Sequence, residues 1–242
     1  LVGIIMVFSS SAVLARDSFG NPNYFSFRHL VSVGLGLMSM FALMQVNYQR
    51  HRHPAVVFSL LSIVTILLIF AYFLPTTANT HRWIRFAGMS FQPGEMAKLA
   101  IVVFMAYFLE KQKDRINDGR LTLIPIGLVV LLICGLVVLQ PDLGTAVSIA
   151  GVAGLLLFTA GLRLRWVGLA AALAAPAFYF FVYQVPWRRQ RLSAFINPWD
   201  DPLDSGYQII QSLISIGSGG VAGVGLMEGQ QKLFYLPEPH TD

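Results

Sequence analysis

Seven long apolar stretches, separated by short polar segments, limit what this chain can fold into. They are residues 1–15, 30–46, 54–73, 93–109, 121–139, 143–162 and 166–185. A helix that crosses the roughly 30 Å hydrocarbon core of a bilayer needs about 20 mostly apolar residues, because each residue adds about 1.5 Å. The pattern therefore predicts an all-α polytopic membrane protein with about seven transmembrane helices in this chain.

The chain has few charged residues, and most of them lie between the apolar stretches. Charged residues make up 12% of the sequence, against about 25% in an average soluble domain. The net charge of +5 would suit a nucleic-acid partner, but the basic residues lie in short interhelical clusters, where they act as topology signals. The single cysteine, Cys134, lies inside an apolar stretch, which leaves no disulfide framework and no cysteine-based zinc site.

The basic residues also predict an orientation. Segments 47–53, 110–120 and 162–165 contain eight Lys and Arg, whereas the alternating segments 16–29, 74–92 and 140–142 contain four. Because basic loops stay on the cytoplasmic side, we expect residues 1–185 to hold the transmembrane helices and residues 186–242 to form a large extracytoplasmic loop. Residue 1 is not Met and no basic segment precedes the first stretch, so we expect a truncated first span in a fragment of a longer protein rather than a signal peptide.

The outer segment has the composition of an ordered loop. Residues 207–216 (YQIIQSLISI) place Ile209, Ile210, Leu213 and Ile216 at helical spacing, which predicts an amphipathic helix on or near the membrane surface. The glycine-rich residues 217–225 follow. Their spacing does not match a phosphate-binding loop, and they suit a plain loop as well as a substrate cradle.

Two charged residues lie at the start of an apolar stretch, where placing a charge in the membrane costs free energy. Glu95 and Lys98 are separated by three positions, so on a helix they share a face and can form an ion pair. The pair either stabilises the outer end of the helix or lines a polar cavity. Gln92-Pro93-Gly94-Glu95 and Gln140-Pro141-Asp142 both resemble helix starts, with proline and a carboxylate where the first turn favours them.

The outer segments carry cations and carboxylates that could serve a phosphate-bearing substrate. Arg82 and Arg85 flank Trp83, and Arg188, Arg189 and Arg191 open the last segment. Arginines in such positions bind either lipid headgroups or the phosphates of a substrate. Residues 197–208 (NPWDDPLDSGYQ) hold an acidic cluster. It is a solvated turn, a pair of carboxylates that raise each other's pKa to give a general base, or a set of oxygen ligands for a divalent cation.

Taken in chain order, the motifs resemble one known family. They are Arg82-Trp83-Ile84, 91–99 (FQPGEMAKL), 140–146 (QPDLGTA), 197–202 (NPWDDP), Gly206-Tyr207-Gln208 with Gln211-Ser212, 217–220 (GSGG) and 235–242 (YLPEPHTD). In this order they resemble the SEDS family, named for shape, elongation, division and sporulation. The resemblance runs the whole chain, and the Asn-Pro-Trp form is more similar to the division branch than to the elongation branch.

The resemblance implies a ten-span enzyme of the bacterial inner membrane that polymerises lipid II into peptidoglycan strands beside a class B penicillin-binding protein and divisome regulators. Further spans are expected after Asp242. Asp201 matches the family's essential aspartate, with Asp200 the weaker candidate, and Trp83, Glu95 and Lys98 match positions that line its outward cavity. Gly94 stands where serine is commoner in the family, a departure that we expect to matter little at a helix start.

These matches give each candidate a role. Asp201 would act as the general base on the acceptor sugar, and Arg82, Lys98, Arg188 and Arg191 would stabilise the pyrophosphate leaving group. The predicted substrate-binding set is Arg82, Trp83, Glu95, Lys98, Arg188, Arg191, Gln208 and Gln211. A divalent cation, Mg²⁺ or Mn²⁺, held by Asp200 and Asp201 is the one cofactor left open. A lipid II flippase and a non-enzymatic scaffold for the penicillin-binding protein are the alternative functions.

Overall fold

The chain is almost wholly helical, as its apolar pattern predicts. The structure is a computed structural model and describes residues 2–74, 81–86, 89–230, 233 and 235. The helices are α1 Val2–Phe19, α2 Tyr24–Met44, α3 Pro54–Phe73, α4 Pro93–Lys111, α5 Ile124–Leu139, α6 Leu143–Thr159, α7 Leu164–Phe178, α8 Pro186–Ile196 and α9 Tyr207–Gly219. Two short antiparallel strands, β1 Ile84–Phe86 and β2 Met89–Phe91, form a hairpin before α4. The predicted all-α polytopic membrane class is confirmed.

All seven predicted spans are helices, although they differ in length and charge. Within the described residues, five helical stretches are long and apolar enough to cross a membrane: Val2–Phe19, Tyr24–Met44, Pro54–Phe73, Gly119–Leu139 and Leu164–Tyr183. The last two include a π-helical turn before α5 and another after α7. Helix α6 is apolar but has only 17 residues. Helix α4 carries Glu95, Lys98, Glu110 and Lys111 near its ends, and these charges lower its hydropathy.

The first connection is shorter than the sequence pattern suggests. Helix α1 continues through Arg16 to Phe19, and α2 already begins at Tyr24, so the predicted loop over 16–29 is wrong in extent. Arg16 lies in the last turn of α1, where the helix dipole favours a cation. Arg28 lies over the Tyr24 ring, with Cζ 5.7 Å from its centroid. Both charges are thus accommodated on helices.

Contacts divide the chain into two compact units, residues 46–173 and residues 1–45 with 174–242. In the unit of residues 46–173, α3 to α6 surround a core of fully buried side chains that includes Leu68, Ile101, Phe104, Met105, Ile133 and Ile149. Small buried residues, Ala97, Ala100, Ala146 and Ala153, lie in the same core. Small residues let membrane helices approach closely enough for van der Waals packing.

Alternate connections of this unit meet at opposite ends. At one end Arg52 forms an ion pair with Glu110, and Asn117 bonds the backbone of Gly161 and Arg163. These residues belong to or adjoin the segments predicted to be cytoplasmic. The segments before α4 and α6 meet at the other end, at Asp142. This arrangement fits the predicted alternation, while the side of the membrane and the boundary between residues 185 and 186 stay predictions.

Candidate functional site

Asp142 joins three segments at the predicted outer end of the unit of residues 46–173. It is the N-cap of α6, where Oδ1 accepts the backbone N–H of Thr145 at 3.2 Å and Oδ2 accepts the Thr145 hydroxyl at 2.9 Å. Oδ2 also accepts the side-chain amide of Gln92 at 2.7 Å. The carboxylate is nearly buried, with 6% of the residue exposed. Both Gln-Pro motifs stand at helix starts, as predicted, but only Pro93 lies in a first turn: Pro141 precedes the N-cap Asp142 and is outside α6. The structure adds that the two starts are bonded to each other.

The hairpin brings Arg82 to the same carboxylate. Arg82 precedes β1 and Gln92 follows β2, so the pairing of Ile84 with Phe91 holds both beside Asp142. Arg82 Nη1 lies 3.8 Å from Asp142 Oδ1. The predicted phosphate ligand is therefore already paired with a carboxylate, and Trp83 next to it is 38% exposed.

Glu95 and Lys98 form the predicted ion pair on the first turns of α4. Lys98 Nζ lies 2.8 Å from Glu95 Oε2, and the side chains are 34% and 59% exposed. The pairing is confirmed. The exposure leaves both groups accessible to a ligand, but their place in a substrate cavity stays a prediction.

Gly94 permits the close approach of α4 to α6. A Cβ atom there would lie 3.1 Å from Thr145 Cγ2, which is tighter than ordinary van der Waals contact, and 3.6 Å from Gln92 Nε2, which is an ordinary contact. The expectation that this departure from the family pattern matters little stays a prediction, and the contact with Thr145 is what tests it. A serine at this position would need Thr145 to move.

Asp201 lies in a compact turn between α8 and α9, in the other unit. After α8 the chain forms a 3₁₀ turn over Pro198–Asp200. Asp201 Oδ2 then accepts the backbone N–H of Ser205 at 3.1 Å and the Ser205 hydroxyl at 2.9 Å. Asp200 Oδ1 accepts the side-chain amide of Asn197 at 2.6 Å. The acidic cluster is thus a turn, as one of the interpretations had it. The turn fixes the orientation of the Asp201 carboxylate, which is compatible with a catalytic role.

Gly206 closes this turn and has no room for a side chain. A Cβ atom would lie 2.0 Å from the carbonyl oxygen of Pro198 and 2.8 Å from that of Asp201. The Gly206 N–H donates to the same Asp201 carbonyl at 2.9 Å. The glycine is therefore required by close backbone approach.

Hydrogen bonding lowers the pKa of Asp201 below its ordinary value. The backbone N–H of Ser205 is the largest cause, followed by the Ser205 hydroxyl. Donors stabilise the ionised carboxylate and so make the proton easier to lose. The sequence-based idea of a raised pKa is wrong for Asp201, because the hydrogen bonds from Ser205 outweigh the raising effect of desolvation. Asp201 is ionised at neutral pH.

Three arginines on α8 are arranged around aromatic rings. Arg188 and Arg191 lie with Cζ 4.9 and 5.5 Å from the Trp187 ring centroid, and Arg189 lies 5.7 Å from that of Tyr183. Arg188 Nη1 donates to the carbonyl oxygen of Phe181 at 2.7 Å, while its Nε is buried and finds no hydrogen-bond partner in the described part of the chain. None of the ion pairs between described residues involves these arginines. Their charge is not neutralised by a carboxylate, which suits binding of an anion.

Gln208 and Gln211 lie on the first turns of α9, directly after the Asp201 turn. They are separated by three positions and share a helix face, with Gln208 exposed and Gln211 half-buried. The predicted helix at 207–216 is confirmed and extends to Gly219. Of its predicted apolar face, Ile210 is buried, whereas Leu213 and Ile216 are exposed.

The acidic turn does not assemble a cation site by itself. Asp200 and Asp201 each use one oxygen to accept hydrogen bonds. In the described part of the chain, no three His, Cys, Asp or Glu side chains form a group that could hold a metal ion. The Mg²⁺ or Mn²⁺ of the sequence-based expectation stays a prediction without a preformed site.

The candidate residues fall into both units. Arg82, Trp83, Glu95 and Lys98 lie in the unit of residues 46–173, whereas Asp201, Arg188, Arg191, Gln208 and Gln211 lie in the other. Sequence reasoning omitted Asp142, Ser205 and Gly206 from the site. The Asp-x-x-Thr and Asp-x-x-x-Ser spacings were the available signals, because short hydroxyl side chains bond carboxylates locally. The predicted motif over residues 235–242 lies outside the described residues except for Tyr235.

Comparison with known proteins gives a consistent result. Residues 1–242 match the FtsW/RodA/SpoVE family, whose members are described as cell cycle proteins. The chain is 39% identical over 241 residues to a protein of Geobacter metallireducens named "Probable peptidoglycan glycosyltransferase FtsW", covering 99% of this chain and 64% of that protein. It is 36% identical over 245 residues to "Stage V sporulation protein E" of Bacillus subtilis, covering 100% of this chain and 65% of that protein. The chain thus spans slightly less than two thirds of these relatives.

Two solved structures are similar in fold. One, titled "Structural coordination of polymerization and crosslinking by a peptidoglycan synthase complex", matches with a TM-score of 0.65 and 27% identity over 91% of this chain and 65% of its own. The other, Rod shape determining protein RodA of Thermus thermophilus, matches with a TM-score of 0.57 and 26% identity over 73% of this chain and 56% of its own.

Proposed function

The chain belongs to the FtsW/RodA/SpoVE family of cell cycle proteins, and from that membership we propose that the whole protein polymerises lipid II into peptidoglycan strands during cell division. It is a bacterial membrane protein with several membrane-type helices. The observation that carries the proposal is identity of 39–40% over 99% of this chain to relatives named peptidoglycan glycosyltransferase FtsW. The inner membrane, with the reaction on its outer face, is the proposed location.

Asp201 is proposed as the general base. The 4-hydroxyl of the acceptor N-acetylglucosamine attacks the anomeric carbon of the donor with inversion, and its proton passes to the Asp201 carboxylate. The new bond joins that oxygen to the anomeric carbon, and the bond from the anomeric carbon to undecaprenyl pyrophosphate breaks. General-base catalysis contributes roughly 10²–10⁴-fold to such a step.

The hydrogen bonds of Ser205 support this role by fixing the carboxylate. Both bonds fall on Oδ2, so Oδ1 is the oxygen proposed to take the proton. The lowered pKa keeps Asp201 ionised at neutral pH. A base with a low pKa accepts its proton only as the new carbon–oxygen bond forms, because the free hydroxyl is far less acidic.

The leaving pyrophosphate is proposed to be stabilised by Arg188 and Arg191. Guanidinium groups bind phosphate oxygens through paired N–H donors, and charge developing on a leaving group is where such donors accelerate a reaction. Arg82 and Lys98 already pair with Asp142 and Glu95. These carboxylates reduce the attraction of Arg82 and Lys98 for an anion, which favours the α8 arginines.

A class B penicillin-binding protein is the proposed partner. A structural neighbour at 27% identity comes from work titled as coordination of polymerization and crosslinking by a peptidoglycan synthase complex. Polymerisation and crosslinking are successive steps on the same strand, so a complex would pass the product directly to the transpeptidase. Divisome regulators belong to the same proposal.

The experiment uses the full-length protein with its cognate penicillin-binding protein. Glycan chains are followed from labelled lipid II in the presence of moenomycin, which blocks unrelated glycosyltransferases. Polymer from the wild type and none from Asp201→Ala is expected. Absence of polymer from a folded wild-type complex would contradict the proposal. A leaflet-translocation assay with lipid II would then separate a flippase from a scaffold.

A further inference from the structure

An apolar groove lies between α5, α6 and α7 in the unit of residues 46–173. Its volume is about 610 Å³, and its lining includes Gly127, Ala153, Gly154, Leu169 and Leu173. No charged residue lines it, and the indole N–H of Trp166 is the one polar side-chain group among the lining residues. A groove of this composition within membrane-type helices accepts a hydrocarbon chain without losing a polar contact.

A polar cavity adjoins the groove at one end. Its volume is about 480 Å³, and its lining includes Lys113, Arg115, Asp118, Gly161 and Arg163. Successive residues of the same two connections line both spaces: Asp118 and Gly161 face the polar cavity, while Gly119 and Leu162 face the groove.

The side chain of Asn117 clamps these two connections together. Its amide donates to the carbonyl oxygen of Gly161 at 3.0 Å, and its oxygen accepts the Arg163 N–H at 2.8 Å. The mouth of the groove is therefore held by a fixed pair of loops.

This mouth has an excess of unneutralised cations. Five basic residues lie on the two connections: Lys113, Arg115, Arg120, Arg163 and Arg165. None of them takes part in the ion pairs formed between described residues. Of the two nearby carboxylates, Asp114 is exposed, and Asp118 accepts the N–H groups of Arg120 and Leu121. The mouth therefore attracts an anion.

Trp166 lies where the groove and the basic mouth meet. Gly119 lies close to its ring, with an added Cβ 3.6 Å from Trp166 Cη2, and the Arg165 guanidinium lies 5.4 Å from the ring centroid. The Nε1 atom is buried and has no hydrogen-bond partner among the residues that the structure describes. A buried donor of this kind costs free energy unless something else accepts from it.

We propose that this groove and its basic mouth bind one anionic phospholipid of the surrounding leaflet. One acyl chain occupies the groove, the phosphate lies among Arg115, Arg163 and Arg165, and an oxygen of the headgroup or of the ester linkage accepts the Trp166 N–H. Basic pockets between transmembrane helices are suited to acidic lipid headgroups. A partner's transmembrane helix would fill the apolar groove as well as an acyl chain does. It would supply neither an anion for the basic residues nor an acceptor for the indole N–H.

The test is native mass spectrometry of the full-length protein in detergent, supplied with phosphatidylglycerol or with phosphatidylcholine of the same acyl chains. The wild type should retain one phosphatidylglycerol in clear preference to phosphatidylcholine. Gly154→Leu should lower the retention of phosphatidylglycerol about tenfold, because the leucine side chain enters the groove. Gly151→Leu, on the same helix, is the control. A Cβ at either glycine meets no atom within 4 Å, and only Gly154 lines the groove.

Two further variants separate headgroup from chain. Arg163→Gln with Arg165→Gln should remove the preference for phosphatidylglycerol while leaving retention of phosphatidylcholine unchanged, and Trp166→Phe should weaken retention of both lipids. Equal retention of the two lipids by the wild type would overturn the proposal. So would equal losses in Gly154→Leu and Gly151→Leu, and so would a groove found occupied by a helix of the penicillin-binding protein.

Discussion

A single serine supplies the hydrogen bonds that hold the Asp201 carboxylate. Ser205 donates both its backbone N–H and its hydroxyl to Oδ2, and these bonds lower the carboxyl pKa. The pKa of Asp201 is lower in the folded protein than in the unfolded chain. Ionised Asp201 therefore stabilises the folded state above the ordinary pKa of about 3.9. That contribution is lost as the pH falls through the lowered value.

Ser205→Ala should move the acid limb of the polymerisation rate to higher pH. The variant loses the hydroxyl bond and keeps the backbone bond, so the pKa of Asp201 rises toward about 3.9. At neutral pH the carboxylate stays ionised, and the rate should fall by much less than the roughly 10²–10⁴-fold expected when a general base is lost. The measurement is the rate against pH, with Ser218→Ala as control because its hydroxyl bonds Ser215 in the last turn of α9. An unshifted acid limb would count against the role of Ser205.

Gly206→Ala should inactivate the enzyme without unfolding the membrane helices. The new Cβ would lie 2.0 Å from the Pro198 carbonyl oxygen, so the turn that carries Asp201 must open. A displacement of about 1 Å at a catalytic group can cost on the order of 10²-fold in rate. Gly217→Ala is the control, because a Cβ there meets no atom within 4 Å. Equal polymerisation rates for the two variants, at equal yield of folded protein, would refute this explanation.

At the scale of elements, Asp142 couples the starts of α4 and α6. Asp142→Ala removes the cap of α6 and the acceptor of Gln92, and loss of such a cap costs about 0.5–2 kcal/mol. Asp142→Asn keeps a capping oxygen and should retain most of the stability. The check is thermal unfolding of both variants in the same detergent. Equal melting temperatures for the wild type and both variants would show that the cap contributes nothing.

Gly94→Ala tests how closely α4 and α6 approach each other. The added methyl lies 3.1 Å from Thr145 Cγ2, so the change should destabilise the protein by about 1 kcal/mol, at the low end for an overpacked site. Thr145→Ser removes that methyl and keeps the hydroxyl that bonds Asp142. The double variant should therefore recover the stability lost in Gly94→Ala. A double-mutant cycle of unfolding free energies measures the coupling, and strict additivity would contradict the contact.

For the whole molecule, the distribution of apolar stretches along the chain predicted more of the fold than the local motifs did. The seven apolar stretches predicted seven helices, because in a bilayer the backbone has to satisfy its own hydrogen bonds. Helix ends were less predictable, as in α1 and α2, since a charged residue in a last turn or beside an aromatic ring extends a helix past its apolar stretch.

The geometry of the candidate site was also less predictable from the sequence than the identity of its residues. The resemblance to a known family singled out Asp201, and the spacing of two charges singled out Glu95 and Lys98. The direction of the Asp201 pKa shift depends on which donors the turn supplies, and the pairing of Arg82 with Asp142 depends on a hairpin between distant motifs. The Asp-x-x-x-Ser spacing signals a local bond to Asp201 but not that the turn forms it, and no pattern of residue types shows the pairing of Arg82 with Asp142, because that pairing depends on tertiary geometry.

The most direct test compares two changes that each replace a carboxylate by an amide in the same turn. Initial rates of glycan formation from labelled lipid II are measured for full-length Asp201→Asn and Asp204→Asn with the penicillin-binding protein and moenomycin. Asp204 is exposed and close to Asp201 in sequence. We predict a loss of at least about 10²-fold for Asp201→Asn and a near wild-type rate for Asp204→Asn. A near wild-type rate for folded Asp201→Asn would show that Asp201 is not the base.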